Sequence, residues 1–332
     1  VRGWLAEQAE HTIDVQYFIF SADNVGLLSI EALVSAAERG VKVRLMVDDV
    51  LAHGDEEILR DIHQHPNIDV KVYNPNINIG KHIGEKSKNL VTQFEAINQR
   101  MHHKTFIVDG EVTVTGGRNV GDEYFDLNSD YNFRDRDVLL FGGVTHAIQE
   151  SFDLFWEDEH SVDILQLMTE VSMTEAQQTW TNLRYYACDP KHFSPEFRDR
   201  MALVPHRLNN AIRSHSFHWV DNVRFVSDAP WKNESDGLGG GSITTRELLD
   251  LLSRAEQRIW IQSPYLILSE VGLTALQQAI DKGIEVKILT NSLAATDNYP
   301  AFAGYQKIRN TLLEMGVELY ETRPDAKDAQ AM

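Results

Sequence analysis

His102, Lys104 and Asn119 are the residues of this chain best suited to handling an oxyanion. They lie in the stretch Arg100 to Val120, RMHHKTFIVDGEVTVTGGRNV. An ammonium can neutralise phosphate oxygens, an imidazole can attack or pass a proton, and a carboxamide can donate to a further oxygen. On a strand, alternate side chains share a face, so His102 and Lys104 project together while His103 projects away. Two β-type runs, His102 to Val108 and Glu111 to Thr115, flank Asp109-Gly110, which is a strong hairpin signal. Gly116-Gly117-Arg118-Asn119 follows, and glycines there allow backbone to approach a ligand closely. On spacing alone an ordinary surface pair fits as well, since His-x-Lys on a strand commonly does no chemistry.

The elements that must position these residues alternate in type. Thr12 to Phe20 (TIDVQYFIF) reads as a buried strand and Gly26 to Arg39 as a helix stopped by Gly40. Val41 to Val47 is the next strand, Glu56 to His63 a second helix, and Asp69 to Tyr73 a third strand. This alternation predicts βαβ units on a parallel or mixed sheet.

The same order returns. Ala9 to Gln16 (AEHTIDVQ) is echoed by Ala255 to Gln262 (AEQRIWIQ), 246 residues on. Arg39 to Leu45 (RGVKVRL) is echoed by Lys282 to Ile288 (KGIEVKI), 243 residues on. Ile68 to Tyr73 (IDVKVY) is echoed by Gly316 to Tyr320 (GVELY), 247 residues on. Three matches in order at nearly constant offset indicate duplication. The expected organisation is a first lobe over 1–160, a connecting helical and loop region over 161–242, and the first part of a second lobe over 243–332. Within the connector, helices are expected at Val162 to Glu170 and Thr174 to Tyr186, broken up by Pro190, Pro195 and Pro205. Trp231 to Ser242 reads as a glycine-rich loop, and Ile243 to Leu252 as the helix opening the second copy.

His102-x-Lys104-x4-Asp109 followed by Gly116-Gly117-x-Asn119 resembles the signature of the phospholipase D superfamily. Gly121 to Phe125 (GDEYF), Asp135 to Val138 (DRDV), Ser263 to Leu266 (SPYL) and Leu289 to Asp297 (LTNSLAATD) resemble its bacterial cardiolipin synthase branch, type C-like. The resemblance spans nearly the whole chain. It implies an α/β fold of two similar lobes, each a mixed sheet flanked by helices, the second incomplete here. Each lobe of such a protein gives one motif to a shared cleft. One histidine attacks phosphorus to form a phosphohistidine, and the other protonates the leaving alcohol. No cofactor or metal is implied. Carried over, the catalytic set is His102, Lys104 and Asp109: His102 is the nucleophile, and Asp109 orients the motif without reacting. Lys104, Asn119 and Gly117 bind the phosphate. Gly117 stands where many superfamily members have serine, so one hydroxyl donor is missing. Asp122 and Glu123 are candidates for a surrounding shell.

The implied activity is phosphatidyl transfer between phospholipids. Alternatives are hydrolysis by a phospholipase D, a superfamily nuclease, or a non-catalytic remnant. The implied partners are phosphatidylglycerol, with phosphatidylethanolamine as a second candidate, and a membrane surface. The implied location is the bacterial cytoplasmic membrane, peripherally or through an upstream anchor. The resemblance leaves the oligomeric state open. Pro75 precedes His102 by 27 residues, whereas its counterpart Pro324 has 8 residues after it. A second motif is therefore expected beyond Met332, and the chain by itself is expected to have little activity. The start at Val1, with no Met, reads as an excerpt too.

Composition narrows the classes. With 42% hydrophobic and 24% charged residues the chain is ordinary for a globular protein, and a net charge of −19 disfavours nucleic acid as a partner. That charge also argues against broad adhesion to anionic lipid, though a local basic patch could coexist with it. Lys81, Lys86 and Lys88 are one such small cluster. The single cysteine, Cys188, excludes an internal disulfide and reads as a buried or half-buried thiol. His63, His65 and His82 match no tight ligand spacing and read as solvated loop residues. His215 and His218, near Trp219, read as loop residues as well.

Overall fold

The computed structural model describes residues 1–49, 56–75, 100–230 and 242–324. Internal contacts divide the chain into two units, Val1–Phe225 and Val226–Met332.

The first unit begins α1 (Arg2–Gln8), β1 (Thr12–Tyr17), α2 (Asn24–Glu38), β2 (Lys42–Asp48), α3 (Glu56–His63) and β3 (Ile68–Tyr73). It continues β4 (Lys104–Val108), β5 (Val112–Gly116), β6 (Asp137–Phe141), α4 (Val144–Trp156) and β7 (Ser161–Asp163). Three further helices follow: α5 (Ile164–Leu167), α6 (Met173–Cys188) and α7 (Pro195–Arg213). The seven strands form one sheet in the order β6-β5-β4-β1-β2-β3-β7. β1, β2 and β3 are parallel, while β4 runs antiparallel beside β1 and sets Lys104 opposite Tyr17.

The period of two along each strand builds two cores. Ile13, Val15, Val43, Leu45, Phe106 and Val108 meet Ile30, Leu33 and Val34 of α2, Leu59 and Ile62 of α3 and Leu183 of α6. Each such side chain, fully buried, stabilises the fold by roughly 1.5–3 kcal/mol over exposure. Met46 and Ile107 face the other way, onto Ile148, Phe152 and Phe155 of α4. On that face Arg44 donates to Asp14 at 2.7 Å and to Asp153 of α4 at 2.7 Å, with its guanidinium over the Phe152 ring. α2 starts at the Asp23 cap and stops at Gly40, whose φ of 100° only glycine adopts readily. Gly40 N–H donates to Ala37 O and Val41 N–H to Ala36 O, closing the last turn.

The region set apart in sequence as a connector differs from expectation. Ser161–Asp163 is a strand paired antiparallel with β3, and only the single turn α5 follows it, capped by Asp163. An edge position on β3 wins over the helical spacing of 162–170. α6 belongs to the first unit: Trp180 Nε1 donates to Asp61 O, and Thr179 Oγ1 to Asp61 Oδ2. Pro205 does not break α7, which runs through it with Pro195 at its start. Proline there removes one backbone donor and presses on the carbonyl one turn back, a cost of about 3 kcal/mol that the helix carries. Cys188 ends α6 exposed, not buried as expected. No described helix is long and apolar enough to cross a membrane.

The second unit comprises α8 (Ile243–Ser253), β8 (Arg258–Gln262), α9 (Glu270–Asp281), β9 (Glu285–Asn291), α10 (Tyr299–Glu314) and β10 (Glu318–Thr322). Its three strands are all parallel, in the order β10-β9-β8. Its core is Ile259, Leu276, Val286, Ile288, Tyr305, Leu312 and neighbours. The register tests the duplication. Thr12 pairs with Lys42 and Arg258 with Glu285, so the offsets of 246 and 243 hold in space. In the third strand the echo slips by two residues: Asp48 pairs with Tyr73 but Asn291 with Thr322, making Thr322, not Tyr320, the counterpart of Tyr73. Gly283 repeats Gly40, with φ of 81° and the same closing bonds. Among the described residues the second unit has no counterpart of β4, β5, β6 or α4. The positions equivalent to Asp14 and Lys71 are Trp260 and Tyr320, 63% and 50% exposed.

Candidate active site

Parallel sheets of this kind present ligand sites at the carboxyl ends of their strands. β4 enters the sheet at that end, so Lys104 arrives beside Phe18 and near Asp48, the last residue of β2. The segment before β4 is pinned there. Asp48 Oδ2 accepts from Met101 N–H at 3.0 Å, and Asp48 Oδ1 from Arg100 Nη1 at 3.2 Å. Arg100 Nη1 also donates to Asn74 O at 3.0 Å. These contacts fix where His102 emerges.

His102 and Lys104 do come together. Lys104 Nζ lies 3.1 Å from His102 Nδ1 and 2.9 Å from His102 O. The His102 ring packs on Phe18 with centroids 4.5 Å apart, and Lys104 Nζ lies 5.4 Å from the Phe18 centroid. His102 is exposed, whereas Lys104 is only 5% exposed. Burial lowers the Lys104 pKa to about 8, against the opposing pull of Asp135 and Asp48. The Lys104 ammonium can only donate, so His102 Nδ1 accepts from it and the neutral ring carries its proton on Nε2.

Asn119 is buried and bonded to the residue that follows Phe18. Its Oδ1 accepts from Ile19 N–H at 3.1 Å, which orients the amide nitrogen as the donor. The chain is held here by a bridge between Phe20 and Val120 and by Ser21 N–H donating to Val120 O.

Gly116 and Gly117 serve a different purpose from the one the sequence suggests. A Cβ at Gly116 would lie 2.3 Å from Arg136 O, and one at Gly117 would lie 2.4 Å from Asp135 Oδ1. The space is taken by the returning 135–137 segment and not by open solvent. Gly117 N–H donates to Arg136 O, Arg118 Nη2 to Asp135 O, and Arg118 N–H to Asp137 Oδ1. Asp135 is thus a member of the site that the motif did not reveal. Burial raises its pKa, opposed by Arg118 and Lys104. Asp48 was missed too; its signal is an aspartate at the carboxyl end of a central parallel strand.

Asp109 is not brought to His102. It lies at the far end of β4, roughly 20 Å away at the rise of a strand. There it accepts from the backbone N–H groups of His11 (2.8 Å), Thr12 (2.7 Å) and Glu10 (3.0 Å). Burial would raise its pKa, but these donors prevail and lower it. That geometry suits orienting the hairpin and excludes contact with a substrate at His102. Asp122 caps α2, accepting from Val25 N–H at 2.9 Å and Asn24 Nδ2 at 2.8 Å. Glu123 sits against Gly121, and its carbonyl accepts from Phe133 N–H.

The remaining histidines divide. His103, in the segment ahead of β4, packs its ring against Phe155 on the α4 face. His63 and His65 are not solvated loop residues: their Nδ1 atoms accept from Val70 N–H and Asn67 N–H, and His65 packs on Trp180. His215 and His218 are exposed. His82 and the Lys81, Lys86 and Lys88 cluster lie outside the described residues. In the second unit, Tyr265 donates to both Asp297 carboxylate oxygens, at 2.6 and 2.7 Å, tying together the two segments flanking β8 and β9.

Residues 5–156 and 248–331 match the family described as "Cardiolipin synthase, PLD-like domain". The chain is 36% identical to cardiolipin synthase C of Escherichia coli, over 99% of this chain and 67% of that protein. It is 32% identical to an uncharacterized protein of Helicobacter pylori, over 98% of this chain and 63% of that one. Cardiolipin synthase 1 of Bacillus anthracis is 25% identical over 95% of this chain and 51% of its own length. The chain therefore spans between half and two thirds of these relatives. In fold it is similar to the crystal structure of phosphatidylserine synthase from Haemophilus influenzae. That match has a TM-score of 0.56 and 14% identity, over 97% of this chain and 70% of the other.

Proposed function

The chain belongs to the phospholipase-D-like domain family of cardiolipin synthases, and from that premise we propose that it carries a phosphatidyl-transfer site in which His102 is the nucleophile. The observation that carries this reading is the pairing of His102 with the buried ammonium of Lys104. When Lys104 Nζ turns from His102 Nδ1 to a phosphoryl oxygen, the ring proton passes to Nδ1 and Nε2 attacks phosphorus; a P–N bond forms, and the P–O bond to the departing alcohol breaks. The alkoxide takes a proton from an acid on the far side of phosphorus, a role the family resemblance gives to a second histidine. A hydroxyl of the acceptor lipid then gives its proton to that same far-side group, now a base, and attacks, breaking the P–N bond. Lys104 and the Asn119 amide nitrogen face the charge that grows on the phosphoryl oxygens. Gly117 contributes room for Asp135 in this scheme, not a ligand. The substrates are phosphatidylglycerol and, as a second candidate, phosphatidylethanolamine, met at a bacterial membrane surface.

The test is adduct trapping. The protein is incubated with phosphatidylglycerol vesicles, quenched without acid, and digested for mass spectrometry. A phosphatidyl adduct is expected on the peptide containing His102, and none in His102→Ala. Parent-level product formation by His102→Ala would remove His102 from the mechanism. Adding phosphatidylethanolamine separates transfer from hydrolysis: a bridged diester marks transfer, phosphatidic acid alone marks water as acceptor.

A further inference from the structure

α7 buries none of its side chains, although it runs for 19 residues. It is nevertheless strongly two-sided. Phe197, Met201, Val204, Leu208 and Ile212 recur at steps of three and four, which places them along one face. Met201 is 47% and Ile212 51% exposed, while Phe197, Val204 and Leu208 are half-buried. At 3.6 residues per turn, Arg198 falls on one flank of this stripe and Arg200 and Arg207 on the other. Asp199 falls at the back, with Glu196 on the flank of Arg207. Four arginines against two acids give α7 a local charge of +2 in a chain of net charge −19. Beyond it, Trp219 is 80% and Val220 68% exposed, with Trp219 resting edge-on against Phe141 at 5.3 Å. Arg200 ties the helix to Asp126 at 3.3 Å, in the stretch that follows Asn119.

An apolar stripe flanked by arginines and continued by an exposed tryptophan is the chemistry of an interfacial helix. Nucleic acid would call for the charge without the stripe, and an ordinary protein contact would not need arginines on both flanks. We infer that α7 and the Phe217–Val220 segment form the surface with which this chain lies on an anionic phospholipid bilayer. The stripe faces the acyl boundary and the arginines face lipid phosphates. This rests on reading the chain as an enzyme of phospholipids, and adds which part of it meets the membrane.

The experiment is co-sedimentation of the full chain with vesicles of phosphatidylcholine alone or phosphatidylcholine with about one quarter phosphatidylglycerol, over a range of salt. Binding is expected only with phosphatidylglycerol and is expected to weaken as salt rises. Arg198→Glu with Arg207→Glu should weaken it roughly tenfold or more. Met201→Asp with Trp219→Ser should weaken it at high salt, where the apolar contribution dominates. Since these side chains are not buried, circular dichroism and the thermal midpoint should not move. Parent-like binding by both variants, equal binding to both vesicle types, or an effect confined to oligomeric state would overturn the inference. Vesicle binding through α7 without a His102 adduct would sink the proposed chemistry and leave the docking surface standing; an adduct with α7 variants that bind normally would do the reverse.

Discussion

At Lys104 the ammonium sits under Phe18 and beside His102, and burial brings its pKa to about 8, well below the ordinary lysine value of 10.5. The sign for binding follows directly. Below about 8 the residue is charged and attracts a phosphodiester; as pH rises through that value the attraction is lost, although an ordinary lysine would keep it for two further pH units. Binding of a soluble phosphodiester, whose own charge is constant across this range, should therefore weaken with a midpoint near 8 in a ³¹P titration. In Lys104→Arg the guanidinium stays charged and the step near 8 should vanish. A midpoint near 10.5 in the parent would show that burial does not govern this group. The strand expected from His102 begins only at Lys104, and the pairing of the two is made by the segment ahead of β4 that Asp48 pins through Met101 N–H. Asp135 was not legible in the sequence, because it reaches Lys104 only when a loop of irregular backbone returns to the glycines at 116 and 117, and no local spacing encodes that return.

At the scale of the element, the hairpin of β4 and β5 decides where the site sits. Asp109 and Gly110 both adopt positive φ, 52° and 66°, as a tight hairpin turn of this type demands. Glu111 N–H closes the turn on Val108 O, and the ladder resumes at Val112, so Glu111 bulges out and the second strand begins one residue later than its composition suggests. The Asp109 carboxylate then clamps the backbone of residues 10–12. Asp109→Ala should cost about 1–3 kcal/mol of stability by urea unfolding, with Asp109→Asn intermediate, while the pH midpoint assigned to Lys104 stays in place. A shift in that midpoint would mean that Asp109 acts on the chemistry itself. The stabilisation from the ionised carboxylate is complete above its ordinary value of 3.8 and is lost as pH falls below it through the lower native value. Turn chemistry made this hairpin readable. β7 was unreadable for the opposite reason: three residues carry too little pattern, and only the edge of β3 makes them a strand. α7 was obscured by Pro205, which a helix on the surface tolerates.

At the scale of the whole molecule, the chain holds separate cores, one set around β1 to β6 and another around Ile259, Leu276 and Ile288. Leu276→Ala should remove about 2–4 kcal/mol from the second unit. Hydrogen exchange should report it as lost protection in β8, β9 and β10 with β1 to β4 unchanged; equal losses in both would show one cooperative core. The duplication was legible because β8 and β9 keep the register of β1 and β2, whereas the two-residue slip at β10 appears only in the pairing itself. One consequence follows from the sheet of the second unit. In the first unit the outer edge of β1 is closed by β4 and that of β3 by β7, but among the described residues neither β8 nor β10 has such a neighbour. On that sheet Trp260 and Tyr320 stand exposed at the positions of Asp14 and Lys71, so this face carries rings where the first unit carries charge against α4.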